Sequence, residues 1–195
     1  MFSTPSHPSS TAQGPARPGL QRLAQTALRW ALLLAMAALA VGALRTLWPA
    51  TVADLGTAPA RAAMMKWREN PRPVTLKEWA AWRADLARGL AQTPDDSLLH
   101  DHMGYLYGAY AQQSKAVPDL ARDFFVQAHT SFSRAASLRP MAPELAQNAG
   151  LAADLSGLPA IKPSGLAWSC RSIRYTAPGV PLSQYLQGLP SGACP

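Results

Sequence analysis

Apolar residues follow two different patterns along this chain of 195 residues. From Trp30 to Leu44 they form a run that contains no charged residue. Between residues 75 and 156 they instead recur every three or four positions among polar residues, as they do on the buried face of a helix. The alternation typical of a strand is almost absent. The chain is therefore predicted to be all-α, with one apolar helix followed by several amphipathic ones.

The apolar run is long enough to cross a membrane once its flanks are included. It continues past Arg45, whose long side chain can reach the headgroups, as far as Trp48. A helix from Trp30 to Trp48 is about 27 Å long, close to the roughly 30 Å hydrocarbon core of a bilayer. Pro49 is expected to end it. We predict a transmembrane signal-anchor helix over residues 20–49.

The charges around this helix predict its orientation. Residues 1–19 are rich in Ser, Pro and Gly and contain no Asp or Glu, which predicts a disordered basic tail in the cytoplasm. The C-terminal part would then lie on the other side of the membrane. The composition, rich in Ala and with Arg favoured over Lys, is typical of a bacterial protein, so that side would be the periplasm. A signal peptide cleaved at Ala38-Leu39-Ala40 is the alternative. The net charge of +7 does not indicate nucleic-acid binding, because no stripe of Lys and Arg interleaves with aromatic residues.

Four amphipathic helices are predicted after a connector over residues 50–74. Thr75 and Glu78 have the spacing of a capping box, and Pro118 and Pro143 suit the first turns of two later helices. Short links make neighbouring helices antiparallel. The predicted core positions, helix by helix, are Leu76, Trp79, Leu86 and Leu90; Leu99, Met103, Leu106 and Tyr110; Leu120, Phe124, Ala128, Phe132, Ala135 and Leu138; and Leu145, Ala149, Ala152 and Leu155.

The second and third helices carry a spaced set of small, aromatic and proline residues. The positions in this set are Gly104, Tyr107, Ala128, Phe132, Ala135 and Pro140. In their order they resemble a tetratricopeptide repeat, and the resemblance covers about residues 75–156 with one full repeat. It implies a small domain of antiparallel helical hairpins whose first helices form a concave protein-binding groove. The fourth helix would be the first half of a repeat without a partner.

The resemblance also implies which residues line the groove. They are the outward positions of the second and fourth helices, namely Asp101, Tyr105, Ala109, Glu144, Gln147, Leu151 and Asp154. Tyr105 would supply an aromatic anchor, Gln147 would bond a peptide backbone, and the acids would attract a basic segment. Gln112 is expected at the far tip of the hairpin, outside the groove. Alternatively, Tyr105 packs against the C-terminal tail and the acids are merely solvated.

Residues 157–195 are rich in Pro and Gly and are predicted to be an irregular tail. An extended stretch is expected from Leu166 to Tyr175, with a short helix starting near Pro181. Cys170 and Cys194 are predicted to form a disulfide that ties the tail onto the helices, provided that this end lies in an oxidising compartment. Two free thiols are the alternative.

No metal, cofactor or catalytic site is predicted. His100 and His102 point to different sides of a helix, and His129 is expected to be partly exposed. The common nucleophile, phosphate-loop, dinucleotide and zinc-protease motifs do not occur in the sequence.

We therefore predict a membrane-anchored scaffold or assembly subunit of a bacterial cell-envelope complex, such as a secretion, pilus or exopolysaccharide system. Its partner would be another envelope protein or peptide segment. The alternatives are an accessory factor or weak enzyme of envelope polysaccharide metabolism, and a structural spacer whose groove is filled by its own tail.

Overall fold

The computed structural model describes residues 18–194, and the side chains of residues 25–194. Every regular element in this range is a helix, as predicted. The predicted disordered tail over residues 1–19 therefore falls almost entirely outside the described residues. The helices are α1 (Pro18–Glu69), α2 (Leu76–Gln92), α3 (Ser97–Gln113), α4 (Pro118–Leu138), α5 (Pro143–Ser156), α6 (Lys162–Tyr175) and α7 (Gln184–Gln187).

The chain divides into two compact units, residues 1–46 and residues 47–195. From Gln25 onward, α1 is long and apolar enough to cross a membrane, with a mean hydropathy of 2.0 over its most apolar stretch. No residue of that stretch is buried by the protein itself. By length and composition, α1 is therefore a candidate membrane span.

The prediction that Pro49 ends the first helix is wrong. Pro49 and Pro59 both lie inside α1, so the predicted connector is helical as far as Glu69. An interior proline costs a helix about 3 kcal/mol, because it removes a backbone hydrogen bond and crowds the preceding turn. The part of α1 in the second unit buries one face, and this burial offsets the cost. The buried residues of that face are Ala53, Thr57, Ala60 and Met64.

The predicted signals at the helix starts are confirmed. The Thr75 hydroxyl accepts from the Glu78 N–H (3.2 Å), and the Glu78 carboxylate accepts from the Thr75 N–H (3.1 Å). These two bonds form the capping box of α2. Asp96 caps α3 by accepting from Leu98 N–H at 2.9 Å. These bonds satisfy backbone N–H groups of the first turn, which have no carbonyl partner within the helix. They therefore fix where each helix begins.

Most of the predicted core positions are buried. Large side chains such as Leu86, Leu99 and Leu106 fill the space among α1, α2 and α3, whereas alanines dominate between α4 and α5. Four more are half-buried, namely Leu90, Tyr110, Phe124 and Leu138. The three exposed ones are Leu76, Leu120 and Leu155, at 64%, 42% and 42% exposure. Each lies in a terminal turn of its helix, where the apolar spacing continues beyond the last contact with a neighbour.

The prediction of an irregular C-terminal tail is wrong. The stretch from Leu166 to Tyr175, expected to be extended, belongs to α6. This helix packs against α5, so the fourth predicted helix does have a partner. Small residues make the contact. A Cβ added to Gly165 would lie 2.5 Å from the Ala153 Cβ, and one added to Gly150 would collide with the Ser169 hydroxyl.

The predicted disulfide is present and holds the end of the described chain. Cys170 on α6 is bonded to Cys194, with the two Cα atoms 5.3 Å apart. Tyr185 on α7 adds a second tie, because its hydroxyl donates to Asp154 (2.9 Å) and lies 2.9 Å from the Ser169 hydroxyl. Burial raises the pKa of Tyr185 to about 12, and its bond to the Asp154 carboxylate adds to this rise. The C-terminal segment is therefore fixed to α5 and α6.

Candidate functional site

A groove of about 650 Å³ opens between α3 and α5 in the second unit, and we call it the α3–α5 groove. Phe125 and Phe132 of α4 line it, as do Trp67 at the end of α1 and the segment Pro71–Pro73. The remaining lining residues are Tyr105, Gly108, Ala109, Gln112 and Gln113 of α3, and Asn148, Leu151, Ala152 and Leu155 of α5. Small residues and aromatic rings make the α3–α5 groove mainly apolar. Ligand-binding sites are usually mainly apolar as well.

Three of the seven predicted site residues line this groove together. They are Tyr105, Ala109 and Leu151. Gln112 lines it as well, so the expectation that this residue lies outside the groove is wrong. Tyr105 and Gln112 are seven residues apart on a continuous helix, which places them on one face two turns apart.

The predicted acids Asp101 and Glu144 lie beyond one end of the groove. Asp101 is one turn before Tyr105 on α3, and Glu144 is one turn before Asn148 on α5. Burial raises the pKa of the Asp101 carboxyl; Arg68 opposes this rise, and the negative charge of Glu144 adds to it. Arg139 also opposes the rise, so the two acids share this end of the groove with two arginines.

Gln147 and Asp154 do not line the groove. Gln147 is half-buried, and its neighbour Asn148 takes the lining position. Asp154 accepts the hydrogen bond from Tyr185, so its carboxylate serves the attachment of the C-terminal segment. The structure therefore gives these two residues no place in the α3–α5 groove, and their predicted binding roles stay predictions.

Tyr105 packs against α1 and not against the C-terminal segment. Its ring meets the Trp67 ring edge to face, with centroids 6.0 Å apart, and the Arg68 guanidinium lies 4.7 Å above it. No residue of the described part of 157–194 lines the groove. Tyr105 is thus fixed by neighbours on one side and faces the groove with the rest of its surface.

The segment Pro71–Val74 forms one wall of the groove, and side chains hold its extended backbone. Gln113 binds Val74 twice, accepting from its N–H (2.9 Å) and donating to its carbonyl (2.8 Å). The Trp67 indole N–H donates to the Arg72 carbonyl at 2.7 Å. Gln113, on the groove side of α3, therefore pairs its amide with both backbone groups of Val74.

Arg72 is the one charged residue among the groove-lining residues, and its charge is compensated. Its guanidinium forms a two-pronged pair with the Glu78 carboxylate, with one bond of 3.1 Å. This pair, together with bonds from the Thr75 N–H and hydroxyl, lowers the pKa of Glu78 to about 2. The walls consequently carry no unpaired charge.

Two amide side chains in the groove are unused. Among the described residues, neither Gln112 on α3 nor Asn148 on α5 has a hydrogen-bond partner for its side chain. An amide group offers both donors and an acceptor, which matches the alternating groups of a peptide backbone. The groove can therefore take apolar side chains against its walls and bond a backbone at its rim.

The described histidines are not grouped as metal ligands. Within residues 25–194 there is no group of three or more His, Cys, Asp or Glu placed to hold a metal ion. His129, expected to be partly exposed, is buried, with Nδ1 2.8 Å from the Ala149 carbonyl and Nε2 3.4 Å from the Ser164 hydroxyl. It links α4, α5 and α6, which is a structural role that periodicity alone did not indicate.

Comparison with known proteins finds no relative of this chain: no protein-family model, curated protein or solved structure matches it. The resemblance to a tetratricopeptide repeat consequently remains a prediction, and the class of the protein is the one its structure defines. It is an all-helical chain with one long apolar N-terminal helix and an open apolar groove.

Proposed function

We propose that this chain is a membrane-anchored protein-interaction subunit of a bacterial cell-envelope complex. The apolar part of α1 lies in the inner membrane with the N-terminus in the cytoplasm, and the helical domain lies in the periplasm. The apolar composition of α1 and the absence of Asp and Glu before Asp54 support this arrangement. The Cys170–Cys194 disulfide supports an oxidising compartment for the domain.

The observation that carries the proposal is the α3–α5 groove. It docks a segment of another envelope protein whose side chains are apolar and uncharged where they enter it. The free amides of Gln112 and Asn148 favour a peptide over a lipid chain, because an acyl chain would bury them without hydrogen bonds, at a cost of about 1–3 kcal/mol each. Asp101 and Glu144 favour a basic residue where the segment leaves the groove.

This docking activity fits a scaffold or assembly role in a system such as secretion, pilus or exopolysaccharide machinery. The helical hairpins, which resemble tetratricopeptide repeats, present the groove on a fixed frame. The disulfide and the Tyr185 contacts keep the C-terminal segment on the other helices, so the groove stays available to a partner.

A groove-filling substitution tests the proposal. Ala109→Trp places a large ring in the groove, whereas Ala87→Trp adds the same ring to an exposed position on α2. We expect Ala109→Trp to lose one or a few envelope proteins that co-isolate with the wild-type chain from crosslinked membranes, and Ala87→Trp to keep them. Both variants should melt within a few degrees of the wild type. Equal co-isolation by both variants would contradict a docking role for the groove.

A further inference from the structure

A second cleft, of about 550 Å³, lies between α6 and the C-terminal end of the described chain. It is separate from the α3–α5 groove and shares no lining residue with it. Cys170 and Ala193 line it, so the disulfide between Cys170 and Cys194 joins its two sides covalently. The shape of this cleft is therefore fixed by a covalent link, and we call it the α6 cleft.

The α6 cleft holds two arginines without acidic partners. Arg171 and Arg174 both line it, and neither forms an ion pair with a carboxylate among the described residues. Residues 157–195 contain no Asp or Glu at all. Elsewhere in the described part of the domain, Arg68, Arg83 and Arg139 also form no ion pair, whereas five arginines are each paired with an Asp or Glu, namely Arg61, Arg72, Arg88, Arg122 and Arg134.

Arg171 is held in place by aromatic rings. Its guanidinium carbon lies 5.2 Å from the centre of the Trp168 ring and 5.8 Å from that of Tyr175. Contacts of this kind attract a cation to the face of a ring and leave the edge of the guanidinium free to donate hydrogen bonds. The group is positioned before any ligand arrives, which lowers the entropy cost of binding.

The rest of the α6 cleft is apolar. Its lining includes Pro163, Leu166, Ala167 and Tyr175. Leu166 and Tyr175 remain 37% and 36% exposed although both are large. The cleft thus places two uncompensated guanidinium groups beside an apolar wall.

We propose that the α6 cleft binds an anionic group, a phosphate or a carboxylate, carried on an apolar body. The guanidinium groups match the paired oxygens of such an anion, and the wall takes the body that carries it. A position in the last turn of α6 explains Arg174 alone, because a cation there complements the helix dipole. It does not account for Arg171, which lies over two rings in the same cleft as Arg174. The site does not depend on the function proposed for the α3–α5 groove.

The ligand can come from two sources with this same chemistry. One is a soluble amphiphilic anion, and the other is the phosphate of a lipid headgroup in the bilayer that holds α1. The probes are phenyl phosphate, which has both parts, and phenol and inorganic phosphate, which each have one. Binding is measured by saturation-transfer NMR on the full chain in phosphatidylcholine nanodiscs.

We expect saturable binding of phenyl phosphate and at least tenfold weaker binding of phenol and of inorganic phosphate. Arg171→Gln alone, and Arg171→Gln with Arg174→Gln, should each weaken phenyl phosphate binding at least tenfold. The control is Arg122→Gln with Arg134→Gln, which also removes two positive charges and should leave binding unchanged. Circular dichroism and melting temperature verify that the variants are folded.

Equal loss in the site and control variants, or no saturable binding to the wild type, would overturn the proposal. Nanodiscs containing phosphatidylglycerol then separate the two sources. If phenyl phosphate binds more weakly in these nanodiscs, and Arg171→Gln abolishes this difference between the two kinds of nanodisc, the site is supported with a lipid phosphate as its natural ligand. Unchanged binding supports the site with a soluble anion.

Discussion

Gly104 on α3 faces α4, where the Phe132 ring occupies the space that a side chain would need. A Cβ added at this position would lie 2.7 Å from one ring carbon of Phe132. Four residues later, a Cβ added to Gly108 would make only an ordinary contact of 3.8 Å with Ala128. The two glycines of one helix therefore differ in whether a side chain would fit at their position.

We predict that Gly104→Ala lowers the free energy of unfolding by about 1–3 kcal/mol, because overpacking outweighs the gain in helix propensity. Gly108→Ala is the matched control and should be neutral or stabilising by up to about 1 kcal/mol. Denaturant unfolding in detergent measures both. Two equal effects of either sign would show that Phe132 does not press on Gly104.

At the residue scale, the sequence indicates caps and small-residue contacts better than it indicates site positions. The capping box at Thr75 follows from residue types at fixed spacing, because its bonds are local. The resemblance to a tetratricopeptide repeat implies groove positions for Tyr105 and Ala109, and both residues line the α3–α5 groove. Gln147 and Asp154 were misplaced, since which face of α5 is open depends on where α6 packs, and nothing local encodes that.

Among the elements, the segment that links α1 to α2 has a built-in dependence on pH. The Arg72 pair and the two bonds from Thr75 lower the pKa of Glu78 to about 2, from an ordinary value of 4.5. A lowered carboxyl pKa means that the folded state releases its proton more readily than the unfolded state. The contribution of Glu78 to stability is therefore present above about pH 4.5 and is lost as the pH falls toward 2.

We expect an NMR titration of the Glu78 carboxyl carbon to give a midpoint near pH 2 in the wild type. Arg72→Gln should move the midpoint up toward 4.5, because it removes the largest cause of the shift. Glu78→Gln should make the free energy of unfolding less dependent on pH between 4.5 and 2. A wild-type midpoint near 4.5 would mean that the pair does not persist in solution.

The helix that sequence patterns missed, α6, shows why pattern reasoning fails for some elements. Its inner face is formed by Gly165, Ser169 and Ser172, which are buried. Small and polar residues allow two helices to approach closely, but they leave no apolar stripe for periodicity to detect. The Pro and Gly content of residues 157–195 instead suggests an irregular tail, although a proline in the first turn of a helix, such as Pro163, is well tolerated.

Tertiary contacts explain why the predicted end of α1 was wrong. Pro49 and Pro59 predicted a break because prolines are unfavourable in isolated helices. In the folded domain, the face containing Ala53, Thr57 and Ala60 is buried, and this tertiary contact overrides the local preference. Composition alone was sufficient to predict the apolar stretch of α1, since a membrane-sized apolar run needs no partner to be recognised.

For the whole molecule, the proposed function requires one membrane crossing with the domain on the outer side. We predict that an N-terminal epitope stays on the full-length chain and resists protease added to spheroplasts, while a C-terminal epitope is removed. The chain should also remain in the membrane after carbonate extraction. Loss of the N-terminal epitope in intact cells would instead indicate cleavage near Ala38–Ala40.

Site-specific photo-crosslinking in cells tests whether the α3–α5 groove docks a segment of another envelope protein. A photoreactive phenylalanine replaces Tyr105 in the groove, and the same residue at Gln127, exposed on α4, is the control. We expect the probe at Tyr105, but not the one at Gln127, to capture one discrete envelope protein. The captured peptide should carry apolar side chains next to a basic residue, and Ala109→Trp should abolish the crosslink. Capture of this chain's own residues 157–195, of lipid alone, or of the same products at both positions would contradict the claim.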